Sequence, residues 1–121
     1  MLYLLMIYAD EGEWAGLSED EQNAVREKYR GFAQRAREDG KLLGGDELQP
    51  TDRATTVRLR NDEVVLTDGP YEVTREALGG FFVVDTDSID DAVELARQLP
   101  APRTRGGVEV RPLYVDESEA S

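Results

Sequence analysis

The sequence contains neither cysteine nor histidine among its 121 residues. Without cysteine, the chain cannot form a disulfide, a thiolate metal site or a cysteine nucleophile, and this composition suits a reducing compartment. Without histidine, a transition-metal site would depend on carboxylates alone, and acidic runs such as Glu19-Asp20-Glu21 are usually solvated helix faces. We therefore expect no metal site.

Phosphate-binding glycine loops are also missing. Neither Gly-x-Gly-x-x-Gly nor Gly-x-x-x-x-Gly-Lys-Ser/Thr occurs around the pairs Gly44-Gly45 and Gly79-Gly80. Basic residues are few, since 14 Lys and Arg stand against 26 Asp and Glu, giving a formal net charge of −12. This charge repels nucleic-acid phosphates and anionic lipid heads. We predict no nucleotide or other cofactor, no direct nucleic-acid binding and no membrane association.

Long hydrophobic runs are absent as well. The apolar start from Met1 to Ile7 follows no basic region and is too short for the core of a signal peptide. With 40% hydrophobic and 33% charged residues, the chain is expected to be a soluble globular protein of the cytoplasm. Its length fits one domain, residues 1–115, followed by a mobile acidic tail, residues 116–121.

Apolar spacing and capping patterns predict two helices. The first begins at Ser18, which forms a capping-box pattern with Glu21, and ends near Gly40. The second begins after Asp87 or Ser88. Residues 9–17 are expected to form a loop, and residues 74–78 about one helical turn.

The remaining periodic segments predict strands, at residues 2–8, 41–48, 54–60, 63–68, 80–86 and 107–115. The two glycines at positions 44 and 45 indicate a bulge or a close backbone approach, and Asn61-Asp62 indicates a hairpin turn. The order is strand, helix, strand, inserted hairpin, strand, helix, strand. This order predicts a ferredoxin-like βαββαβ fold of the α+β class with an antiparallel sheet.

Two helices can cover only one face of such a sheet. The strands at residues 2–8 and 80–86 are nevertheless apolar on both faces. An uncovered apolar face of this kind is typical of an interaction surface. We therefore predict a homodimer that packs sheet to sheet, or through the hairpin onto the uncovered face.

Six sequence blocks follow one another along the chain: Tyr8 with the first helix, Gly44-Gly45, Ala54-Thr55-Thr56-Val57-Arg58, Asp68-Gly69-Pro70-Tyr71, Leu78-Gly79-Gly80-Phe81-Phe82 and Val108-Glu109-Val110-Arg111-Pro112. Together these blocks resemble the YCII-related family, and specifically its branch with the motif Asp-Gly-Pro-Phe. The resemblance covers nearly the whole chain. It implies a homodimer of the dimeric α+β barrel type, with a pocket between sheet and helices or near the subunit boundary.

The resemblance also implies a link to gene regulation, because some members are encoded beside, or fused to, extracytoplasmic-function sigma factors. This chain departs from the motif at Tyr71, where the family has phenylalanine. The wider family is associated with a histidine and aspartate pair for proton chemistry. That mechanism cannot be transferred to a chain without histidine.

Asp68 is the first candidate for chemistry. An aspartate before Gly69-Pro70 commonly accepts hydrogen bonds from backbone amides two residues on, which would be a structural role. The functional alternative is that Asp68 faces a pocket, where it binds a substrate hydroxyl or amine or acts as a general base if burial raises its pKa. Both interpretations stay open.

Four further residues are candidates for ligand binding. Tyr71 is either a core aromatic or a phenol that exchanges a proton. Asp46 follows two glycines, so that its backbone can approach a ligand, and Tyr8 lies at the carboxyl end of the first strand, where ligand-binding loops occur. Arg58 either neutralises a carboxylate ligand or pairs with an acid on a neighbouring strand.

Three hypotheses follow for the function. The first is a small-molecule pocket lined by Asp68, Tyr71, Asp46 and Tyr8, and an enzyme built on it would use carboxylate and phenol proton transfer, as in an isomerase, lyase or hydrolase. The second is a non-catalytic regulatory module that binds a protein such as a sigma factor. The third is a structural dimer without a ligand.

Overall fold

The computed structural model describes residues 1–101 and 104–114. The predicted acidic tail lies outside the described residues. The helices are α1 (Glu11–Ala15), α2 (Glu19–Glu38) and α3 (Ile89–Arg97), with a short 3-10 turn at Thr51–Arg53. The strands are β1 (Leu2–Asp10), β2 (Leu42–Glu47), β3 (Thr55–Arg60), β4 (Glu63–Asp68), β5 (Glu76–Asp85) and β6 (Gly107–Pro112).

The predicted capping box begins helix α2. The Ser18 hydroxyl accepts a hydrogen bond from the Glu21 amide at 3.1 Å, and the Glu21 carboxylate accepts one from the Ser18 amide at 3.0 Å. The hydrogen bond from the Ser18 backbone lowers the pKa of Glu21. At the other end Gly40 takes φ +72°, a left-handed conformation that glycine adopts without strain.

The main sheet is antiparallel, with strand order β2-β5-β1-β6. This arrangement agrees with the predicted ferredoxin-like α+β fold. Helices α2 and α3 cover one face, where Phe32 and Phe82 pack with ring centroids 5.1 Å apart. The other buried side chains of this core are Tyr3, Leu5, Ile7, Ala36, Val84, Ala92, Leu95, Ala96, Leu99 and Ala101.

Tyr29 packs against the edge of this core from helix α2. Burial raises the pKa of the Tyr29 phenol, because it disfavours the charged phenolate. A hydrogen bond with the Ala101 backbone acts in the opposite direction and has the smaller effect. The phenol, at the junction of α2 with the segment after α3, therefore stays neutral to a higher pH than a solvent-exposed tyrosine.

The second face of the sheet carries side chains that the helices do not cover. Alternate residues of β1 and β5 point to this face, and each is about half-buried: Leu2, Leu4, Met6, Phe81 and Val83. The predicted division of β5 into two apolar faces is thus confirmed. The predicted packing of this face against a second subunit stays a prediction.

Two bulges adjust the sheet. The pairing of β2 with β5 shifts between Leu42 and Gly44, as the glycines predicted. Gly45 has φ +145°, and a Cβ there would overlap the carbonyl oxygen of Phe81, so the position requires glycine. In β5, Gly79 is the extra residue opposite Ile7 and Tyr8, which leaves Ala77 buried and Leu78 exposed.

Two predicted segments differ from the structure. Residues 74–78 do not form a helical turn, because β5 begins at Glu76 and pairs there with Asp10 of β1. Residues 9–17 do not form a simple loop, because Asp10 caps the short helix α1 by accepting a hydrogen bond from the Glu13 amide at 3.1 Å. Strand β6 ends at Pro112, whereas 115 was predicted.

The predicted hairpin forms a separate two-stranded sheet from β3 and β4. Asn61 and Asp62 both have positive φ angles, 51° and 64°, as a two-residue turn of type I′ requires. The regular strand hydrogen bonds of β3 are made with β4. We call this element, residues 55–68, the hairpin arm.

No helix within residues 1–101 and 104–114 is long and apolar enough to cross a membrane.

Candidate functional site

The motif turn lies where the hairpin arm ends. Asp68 is the last residue of β4, and Gly69 follows with φ +112°, a conformation that favours glycine. The Gly69 amide donates to the Ala54 carbonyl at 2.7 Å, and the Thr56 hydroxyl donates to the Gly69 carbonyl at 2.8 Å. The turn is therefore tied to the start of β3, and its backbone is fixed by the arm.

Arg58 and Tyr71 are brought together beside this turn. The Arg58 guanidinium donates through Nη2 to the Tyr71 carbonyl at 3.2 Å, and its Cζ lies 4.6 Å from the centroid of the Tyr71 ring. This cation–π contact is at the surface, because 70% of Tyr71 is exposed. Arg58 thus positions the motif tyrosine. The sequence had suggested two other roles for Arg58, the neutralisation of a carboxylate ligand and an ion pair with an acid on a neighbouring strand.

The Asp68 carboxylate lies on the opposite face of the arm from Arg58. Asp68 pairs with Thr55 and shares its face with Leu66, whereas Arg58 pairs with Val65 on the other face. The Asp68 side chain is exposed, and it makes no hydrogen bond or ion pair with the residues that the structure describes. Its carboxylate is available for a ligand or a second subunit.

Asp46 and Tyr8 lie on the uncovered face of the main sheet. Asp46 of β2 is paired with Phe81, and its carboxylate accepts a hydrogen bond from the Glu47 amide at 2.9 Å. Tyr8 follows Met6 on the same face of β1, and its hydroxyl lies 3.9 Å from the Met6 sulfur. The five candidates thus form two groups, one on the arm and one on the sheet.

A concavity of about 720 Å³ lies at the end of the sheet where β1 stops. Its lining includes the charged residues Asp10, Glu13, Arg75 and Arg105. The Asp10 carboxylate, with 13% of its side chain exposed, pairs with the Arg75 Nε at 3.4 Å. Sequence reasoning missed this cluster, because a helical turn predicted at residues 74–78 concealed the pairing of Asp10 with Glu76 that brings Arg75 close.

A second concavity, of about 340 Å³, lies at the other end of the sheet and is mainly acidic. Here the amino-terminal ammonium of Met1 donates to Asp85 Oδ1 at 2.9 Å and to the Thr86 carbonyl at 3.0 Å. No group of three or more potential metal-ligating side chains occurs in the described part of the chain. The Met1 contacts therefore tie the amino terminus to the end of β5 beside this concavity.

Comparison with known proteins decides the family. The sequence model of the YCII-related domain matches residues 1–115. The chain belongs to the YCII-related family. This YCII-related chain is also 37% identical, over 114 residues, to an uncharacterized protein of Rhizobium meliloti (strain 1021). The match covers 93% of this chain and 92% of the relative. The YCII-related domain thus contains both groups of candidate residues and the charged concavity.

Proposed function

We propose that this YCII-related protein is a homodimer in which the second subunit completes a small-molecule pocket beside Asp68. The single observation that carries the proposal is the apolar face of the hairpin arm. Val57, Leu59, Val64 and Leu66 share this face, because Val57 pairs with Leu66 and Leu59 pairs with Val64. Between 62% and 71% of each residue is exposed.

Physical chemistry favours a cover for this face. A two-stranded hairpin alone is marginally stable in water, and contiguous apolar patches on soluble proteins usually mark interaction sites. The uncovered sheet face, with Leu4, Met6 and Phe81, offers a second apolar surface of the same chain. A two-fold dimer would bury the same surfaces on both subunits at once.

The position of Asp68 connects this surface with chemistry. Asp68 follows Leu66 on the apolar face of the arm, so a subunit that covers the face would also remove water from around the carboxylate. Desolvation raises the pKa of a carboxyl group and makes it a better general base. Tyr71 is held by Arg58, which lies on the opposite face of the arm from Asp68, so its phenol would border the pocket from the motif turn. The reaction classes that suit a carboxylate and a phenol are isomerisation, elimination and hydrolysis of a modest organic substrate.

Tyr8 and Asp46 complete the proposed lining from the uncovered sheet face. We also propose that the chain belongs to the Asp-Gly-Pro-Phe branch with tyrosine in place of phenylalanine, and that it works in the cytoplasm. The lack of cysteine supports the cellular location, and the motif at residues 68–71 supports the branch.

Native mass spectrometry of the protein as purified tests the proposal, because it reports subunit number and retained small molecules together. The expected result is a dimer. Extra mass retained on the dimer would identify the small molecule. A monomer at micromolar concentration would refute the proposal.

The second candidate function is a non-catalytic regulatory module that binds a protein such as an extracytoplasmic-function sigma factor. The observation that favours it is the same apolar face of the arm, with its alternating side chains. The outer edges of β3 and β4 also pair with no other strand of the described residues, and such edges bind extended polypeptides. Copurification of a defined sigma factor, lost in Leu66→Glu and kept in Thr67→Glu, would support this candidate over the pocket.

A further inference from the structure

We propose that the concavity formed by Asp10, Glu13, Arg75 and Arg105 binds a small zwitterion with a primary ammonium and a carboxylate, of the amino-acid class. This site is distinct from the pocket proposed beside Asp68. Its residues all come from one subunit, so the inference does not depend on the dimer.

The two arginines offer donors for a carboxylate. Arg75 uses Nε for its contact with Asp10, and its Nη atoms donate to no residue within 1–101 and 104–114. The exposed Arg105 guanidinium makes no hydrogen bond or ion pair with the described residues. A guanidinium with free donors binds carboxylates through two parallel hydrogen bonds, which gives both strength and orientation.

The two acidic residues offer acceptors for an ammonium group. Asp10 uses Oδ1 for the Glu13 amide and Oδ2 for Arg75. An ionised carboxylate has about four acceptor positions, so two remain. The Glu13 carboxylate accepts no hydrogen bond from the part of the chain that the structure describes. An ammonium has three donors and no acceptor, which matches this arrangement.

The charge of the whole protein favours a zwitterion over a simple anion. At a formal net charge of −12, the protein repels an approaching anion over a distance of about a Debye length. A zwitterion carries no net charge and avoids that repulsion, while its two ends still meet opposite charges at short range. A simple cation would be attracted by the protein but would leave the free Nη donors of Arg75 and the Arg105 guanidinium unused.

The backbone holds these charges at fixed places. Asp10 ends β1, and Arg75 directly precedes β5, whose first residue pairs with Asp10. Arg105 is followed by Gly106, where a Cβ would overlap the carbonyl oxygen of Tyr8, so that only glycine lets the segment pass this close to β1. The concavity, of about 720 Å³, is wide open to solvent, which leaves room for a side chain of the zwitterion.

The test is titration of the ¹⁵N-labelled protein, followed by amide chemical shifts, with four probes. Glycine and γ-aminobutyrate are zwitterions with different spacing, acetate supplies the anion alone and methylammonium the cation alone. We expect saturable shifts around residues 10–13, 75 and 105 with a zwitterion. We expect binding of acetate and methylammonium to be weaker by about tenfold or more, since each loses one set of charged hydrogen bonds.

Two variants with matched controls assign the site. Arg105→Gln and Asp10→Asn are each expected to weaken zwitterion binding by about tenfold, and asparagine keeps the cap of α1. Arg60→Gln and Asp62→Asn make the same charge changes at the tip of the hairpin arm and should leave binding unchanged. Shifts that map elsewhere, equal binding of glycine and acetate, or no saturable binding of either zwitterion up to about 50 mM, would overturn the inference.

Discussion

Leu66→Ala in the hairpin arm is the sharpest test of the proposed dimer. Leu66 lies at the centre of the apolar face and is 66% exposed in the single chain. The change removes three carbon groups, and each one that a partner would bury loses about 0.8 kcal/mol of binding free energy. With two-thirds of the side chain newly buried, the loss is about 1.6 kcal/mol per subunit and about 3 kcal/mol per two-fold dimer.

The expected effect is an increase of about a hundredfold in the dimer dissociation constant, because 1.4 kcal/mol corresponds to a factor of ten. Sedimentation equilibrium over a range of protein concentrations measures it directly. Leu66 is mostly exposed in the single chain, so the change should alter the stability of the isolated subunit little. Circular dichroism checks that the variant remains folded.

Thr67→Ala is the matched control, since Thr67 is the next residue of β4 and is exposed on the opposite face of the arm. The dimer dissociation constant of Thr67→Ala should stay within about twofold of the value for the unmodified protein. If Leu66→Ala and Thr67→Ala have the same dissociation constant, the apolar face of the arm is not the interface. The reasoning would then fail even if the protein is a dimer.

Two further predictions concern the fold. Gly45→Ala should lower the free energy of unfolding by about 2–4 kcal/mol in urea denaturation, because of the positive φ and the overlap with the Phe81 carbonyl, whereas Gly44→Ala, with open space around it, should have little effect. Equal effects would contradict the close approach. Because the pKa of Tyr29 is raised in the folded protein, its contribution to the free energy of unfolding should be constant up to about pH 10 and then decrease with pH. The reason is that the unfolded chain releases the phenol proton at a lower pH than the folded protein does. Tyr29→Phe should reduce that alkaline loss in urea denaturation at pH 9 and pH 11, and an identical loss in both proteins would exclude Tyr29 as its source.

Much of the fold could be predicted because local signals and long-range pairing agree. Ser18 and Glu21 are three residues apart, so their reciprocal bonds depend on local sequence alone. The pair Gly44-Gly45 indicated a bulge or a close backbone approach, and the alternation of β5 indicated two apolar faces. The prediction for residues 74–78 was wrong because their local pattern is compatible with a turn of helix, whereas pairing with β1 makes residues 76–78 part of a strand.

The candidate site was harder to predict for the same reason. Arg58 and Tyr71 were each singled out, but their contact depends on how the motif turn folds back beside β3. The pairing of Asp10 with Arg75 joins residues far apart in the chain and depends on the register of two strands. Residue type identified Arg58 and Tyr71 as chemical groups, whereas tertiary structure decided that they meet and brought Arg75 to Asp10.

The separate hairpin arm has a consequence for hydrogen exchange. Its strand hydrogen bonds are internal, so opening the arm breaks none of the pairings among β2, β5, β1 and β6. In a single chain, its amides can therefore exchange with solvent by local opening, while those in the centre of β1 and β5 require global unfolding. Slow exchange in the arm would mean that something outside its own two strands holds it closed.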